Sequence, residues 1–106
     1  MAKYLIEASY TSEGAKGLLK DGGSKRRTAA EQVIKSAGGK LEAFYFAFGG
    51  RDAFVIIDAP DHASVAAASL AINASGAVRT RTVVLLSPEE IDQAAKKTVH
   101  YTAPGR

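Results

Sequence analysis

Three groups of side chains in this sequence have the types and spacing that chemistry requires. Gly50-Arg51-Asp52 lies in a glycine-rich turn between two apolar runs, 41–48 and 53–58. An Arg-Asp pair at the rim of a cavity would grip an anion or a polar ligand. The competing reading is a plain hairpin turn, with glycine supplying a positive φ and Asp52 bonding its own backbone. Glu7, Glu42, Arg79 and Arg81 fall inside strand-like segments. They form either cross-strand ion pairs worth about 0.2–1 kcal/mol or charges lining an enclosed space, where each needs a partner. His62 follows Asp61 at the start of a helical pattern. It is either a general base or a surface histidine, and His62 and Asp52 are the two candidates for catalysis.

Other groups point to less. Lys25-Arg26-Arg27 opens a helix where the dipole disfavours cations. An anion on the helix N-terminus would relieve that conflict, as would simple solvation of a basic surface. The spacing Gly17 to Gly22 matches a phosphate loop, but Gly23-Ser24 stands where Lys-Ser or Lys-Thr is required. Neither His62 nor His100 has a neighbour at metal-ligand spacing, and there are no cysteines. No metal and no cofactor is expected.

The elements that position these groups follow from periodicity. In residues 4–10, Tyr4, Ile6, Ala8 and Tyr10 take one face of a strand and Leu5, Glu7 and Ser9 the other. In residues 11–23 Thr11 or Ser12 could cap a short helix carrying Leu18 and Leu19, but Gly14, Gly17, Gly22 and Gly23 weaken it and predict a partly ordered, mobile connection. Ala29, Ala30, Val33, Ile34 and Ala37 predict a helix over 24–37, stopped by Gly38-Gly39. The hairpin strands follow, rich in aromatic and β-branched residues. A second helix, capped by Asp61, carries Val65, Ala68 and Ile72, and a last strand covers 77–86. Ser87-Pro88-Glu89-Glu90 is a capping box with proline at the first helical position, so a short C-terminal helix closes a domain of 1–97. Residues 98–106 are a tail.

The chain has 106 residues, 46% apolar and 24% charged, with a net charge of +3. That is one domain with a modest core. Its cations are scattered rather than gathered on one stripe, so no specific nucleic-acid partner is expected. The N-terminus reaches Glu7 after three apolar residues. No signal peptide fits there, no apolar stretch approaches the length of a membrane span, and the expected location is cytoplasmic.

The order β-α-β-β-α-β predicts an α+β ferredoxin-like sandwich with both helices on one side of an antiparallel sheet. The other face should then be polar, yet both alternations of the hairpin are apolar. Leu41, Ala43, Tyr45 and Ala47 oppose Phe44, Phe46 and Phe48, and Phe54 and Ile56 oppose Ala53, Val55 and Ile57. The loop leaves the register open. Covering three phenylalanines would contribute on the order of 5–8 kcal/mol before entropy costs, so the chain is expected to pair with itself through its sheet, as a homodimer or higher homo-oligomer.

Residues 3–11 (Lys3-Tyr4-Leu5-Ile6-Glu7-Ala8-Ser9-Tyr10-Thr11), the start of the hairpin (Gly38-Gly39-Lys40-Leu41-Glu42-Ala43-Phe44-Tyr45-Phe46), Ala71-Ile72-Asn73-Ala74-Ser75-Gly76-Ala77-Val78-Arg79 and Leu86-Ser87-Pro88-Glu89-Glu90 together resemble the small bacterial GYD domain family. Arg51 stands where the family's eponymous triplet has tyrosine. The resemblance implies a dimeric α/β barrel, two ferredoxin-like sheets packed face to face, and carries no activity. Superfamily relatives include ligand-sensing domains of regulators and cofactor-free oxygenases, so one scaffold serves many chemistries.

Two functional classes follow. The first is an oligomeric small-molecule-binding module holding a small polar or aromatic ligand between packed sheets, with Glu7, Phe44, Phe46, Arg51, Asp52, Arg79 and Arg81 as the candidate contacts. The second is a cofactor-independent enzyme, an oxygenase, isomerase or lyase. A structural assembly component is the remaining alternative.

Overall fold

A computed structural model describes all residues, 1–106. The elements run β1 (Ala2–Tyr10), α1 (Ser12–Asp21), α2 (Gly23–Ser36), β2 (Lys40–Phe46), β3 (Ala53–Ala59), α3 (His62–Ala74), β4 (Val78–Leu85) and α4 (Pro88–Ala95). The four strands form one antiparallel sheet in the order β2-β3-β1-β4. This is the ferredoxin-like order, with the first and third strands central.

The alternation in β1 decides which face is buried. Tyr4, Ile6 and Ala8 are paired with Ile57, Val55 and Ala53, and all six are buried. Ile34 from α2 and Val65 and Ala68 from α3 close over them. Alanine at position 68 keeps α3 close to the sheet. Asp61 accepts from the backbone N–H of Ser64 at 2.8 Å and starts that helix. At its other end Asn73 donates to Thr80 Oγ1 and accepts from Thr80 N, tying α3 to the edge strand β4.

The structure corrects the expectation for residues 11–23. Residues 12–21 form the helix α1, capped by Thr11, the short helix that the glycines argued against, rather than a mobile connection. Its glycines weaken propensity, but Gly14 is what lets the helix dock. A Cβ there would lie 2.0 Å from the carbonyl oxygen of Ala77. The close approach allows Thr11 N to donate to Ala77 O at 3.0 Å and Thr11 Oγ1 to Gly76 O at 2.8 Å. Tertiary contact outweighs local preference here.

The C-terminal helix forms as its capping box dictates, with Ser87 and Glu90 bonded reciprocally. It does not join the sandwich: every residue of α4 is exposed. Leu86, Ile91, Val99 and Tyr101 are apolar and more than half exposed, and the molecule is 56 Å long against 33 and 22 Å in its other dimensions.

Candidate functional site

The face of the sheet away from the helices is the candidate site. Pairing places Leu5 opposite Ile56 and Val83, and Glu7 opposite Phe54 and Arg81. Ala43 faces Ile56 and Tyr45 faces Phe54. The centre of this face is therefore Leu5, Ala43, Tyr45, Phe54, Ile56 and Val83, an apolar field with no element over it. Tyr45 is 71% exposed and Val83 39%. A four-stranded antiparallel sheet in water ordinarily carries polar residues on such a face.

A β-bulge decides which hairpin residues reach that field. The β2–β3 register shifts between Leu41 and Ala43, so one extra residue, Glu42, is accommodated and the alternation inverts. Leu41 pairs with Ile57, Phe44 with Val55 and Phe46 with Ala53, all on the helix-covered face. Leu41 thus shares a face with Phe44 and Phe46 rather than with Ala43 and Tyr45. Phe44 and Phe46 stack edge-on at 5.1 Å beneath α2, and a Cβ on Gly23 would lie 2.9 Å from the Phe46 ring. The three-phenylalanine patch expected on one open face does not form, since Phe48 projects from the loop, fully exposed.

Charges sit at both ends of the open face. At one end Lys3 forms ion pairs with Glu42 and, at 3.1 Å, with Asp58. Hydrogen bonds to Glu42 and then Asp58 hold the Lys3 ammonium above its ordinary pKa. At the other end lie Glu7, Arg51, Arg79 and Arg81 around a depression of about 320 Å³ that no hydrophobic residue lines. Glu7 faces Arg81 across the strands, and its carboxylate lies 3.6 Å from Arg51 Nε. That nitrogen is buried and has no hydrogen-bond partner.

The candidate residues consequently divide. Glu7, Arg51, Arg79 and Arg81 come together on the open face. Phe44 and Phe46 lie on the opposite one. Asp52 serves the backbone: its carboxylate accepts from Tyr10 N at 2.8 Å, and its own N–H donates to Ala8 O at 2.9 Å. It pins the hairpin to the end of β1, a contact across the sheet rather than the bond to its own turn that the turn reading expected. His62 bonds through Nδ1 to the hydroxyl of Tyr4 at 2.6 Å and meets that ring edge-on. Tyr4 is 1% exposed, so the imidazole satisfies a buried phenol. Tyr4 and Tyr10 stand at opposite ends of β1, about 20 Å apart at 3.3 Å per residue, so His62 and Asp52 do not face one substrate. The Tyr4–His62 contact joins residues far apart in the chain, and nothing local in the sequence announces it. No three His, Cys, Asp or Glu side chains converge as a metal site requires, and no helix is long and apolar enough to cross a membrane.

An α+β sandwich of ferredoxin-like order, helices on one face and an apolar, positively charged face on the other, is the class this arrangement defines. The chain belongs to the GYD domain family, whose model matches residues 4–95. A search of the curated proteins found no match.

Proposed function

We propose that this protein is a self-associating small-molecule-binding module, in which two copies pack sheet on sheet and hold a small anion at the arginine end of the interface. The observation that carries this reading is the composition of the open face. Its centre is apolar, which favours burial. Its periphery holds five cations, Lys3, Lys40, Arg51, Arg79 and Arg81, against three carboxylates, Glu7, Glu42 and Asp58. Whichever way the two-fold axis runs, each copy brings two uncompensated positive charges into the interface. Enclosed charge is costly without a partner, and a carboxylate is the planar acceptor that guanidinium groups bind best. Phe44, Phe46 and Asp52 take no part in this site.

The test is a thermal-shift series with small mono- and dicarboxylic acids. At least one acid should raise the melting temperature, because a ligand bound only by the folded state stabilises it. The rise should disappear in Arg81→Gln and in a monomeric Ile56→Lys variant. A dimer whose melting temperature no acid moves would overturn the ligand part of the proposal and leave an assembly component.

A further inference from the structure

The helix layer contains a second recess, independent of the sheet pairing proposed above. Between α1, α2, α3 and the adjoining ends of β1 and β4 lies a cavity of about 340 Å³. It adjoins a smaller, almost wholly apolar cavity of about 50 Å³ beneath α2, where Phe44 and Val55 form part of the lining. Tyr10, Arg26, Ile72 and Val78 border both. Together they reach the size at which proteins enclose small ligands, about 300 Å³ and upward.

Arg26 is the only cation lining either space. Of the basic run that opens α2, Lys25 pairs outward with Asp21 at 3.9 Å and Arg27 is exposed, while Arg26 turns inward. Its Nε is buried with no hydrogen-bond partner. A buried donor left unpaired is costly, and neither the hydroxyls of Tyr10, Ser75 and Thr80 nor the carboxylates of Glu13 and Asp21 that line the two cavities bond to it. The mouth carries the carboxylates of Glu13 and Asp21, which repel an anion entering the recess.

From these observations we infer that the recess binds a compact, mostly apolar neutral molecule bearing one carbonyl oxygen, with that oxygen accepting from Arg26 Nε and the apolar body lying against Ile72 and Val78. The acidic mouth selects against the corresponding carboxylate, so this ligand differs in class from the anion proposed for the sheet face.

Three probes of like size separate the terms: acetophenone, benzoate and ethylbenzene, titrated into the full chain while backbone amide resonances are followed. Acetophenone should shift the Ile72, Ala77 and Val78 signals saturably, with benzoate and ethylbenzene binding at least about tenfold more weakly, the scale of one hydrogen bond in a dry site. Arg26→Met keeps the aliphatic stem and should weaken acetophenone about tenfold; Ala71→Phe, at the mouth, should block it. The Ile56→Lys protein should bind acetophenone as the unaltered chain does, which separates this site from the sheet face. Absence of saturable shifts, equal binding of ethylbenzene, tighter binding of benzoate, or indifference to both Arg26→Met and Ala71→Phe in variants of unchanged melting temperature would each overturn the inference.

Discussion

Two glycines three residues apart on α1 should respond to alanine in opposite directions. At Gly14 a Cβ would meet Ala77 O at 2.0 Å, Ala77 C at 2.9 Å and the Tyr10 ring at 3.1 Å. Two of the three atoms are backbone, so relief requires α1 to move away from the start of β4. Overpacking of this kind costs about 1–3 kcal/mol. The movement also stretches the bonds from Thr11 to Ala77 and Gly76, worth about 1 kcal/mol each. The helical preference for alanine returns only about 0.5–1 kcal/mol. Gly14→Ala should therefore lose roughly 2–4 kcal/mol, which in a domain of this size lowers the melting temperature by about 10–25 °C. At Gly17 a Cβ meets nothing within 4 Å. Gly17→Ala keeps only the propensity gain and should raise the melting temperature by about 3–6 °C. Paired thermal melts by circular dichroism measure both. Equal shifts of the two variants, in either direction, would refute the docking of α1 against Ala77.

The Tyr4–His62 bond and the Asp61 cap give two further tests. Tyr4→Phe, His62→Ala and the double variant, compared by urea unfolding, should show a coupling of about 1 kcal/mol, and additivity within error would show that the bond contributes nothing. The Ser64 backbone N–H holds the Asp61 carboxyl below its ordinary pKa of 3.8, helped by the Ser64 side chain. A carboxyl depressed in the folded state stabilises above its unfolded pKa, and the contribution is lost as pH falls through the folded value. Asp61→Asn, which still caps, should thus match the unaltered chain at neutral pH and become the more stable of the two as pH falls below 3.8. An unchanged difference down to about pH 3 would contradict the assigned cap.

Sheet order and the helix-covered face were legible because β1 alternates cleanly: Tyr4, Ile6 and Ala8 against Leu5, Glu7 and Ser9. That order alone sets Glu7 against Arg79 or Arg81, and the register of β1 on β4 selects Arg81. The hairpin was not legible to the same depth. Both alternations of β2 are apolar, so pattern cannot reveal that Glu42 forms a bulge, and the bulge sends Phe44 and Phe46 to the helix side. The helix α1 had a visible cap in Thr11 but was discounted for a different reason. Its glycines argue against a helix locally, and only the contact with Ala77, more than sixty positions away, shows why they are there. Arg26 was masked by its basic neighbours, since a charge run gives no sign that its middle member turns inward.

Sedimentation velocity of the unaltered chain at micromolar concentration tests the central claim most directly. The uncovered field around Leu5, Phe54 and Ile56 predicts a species of twice the 11.1 kDa chain mass, reduced to a single folded chain by Ile56→Lys. A well-folded single subunit for the unaltered chain would contradict the account.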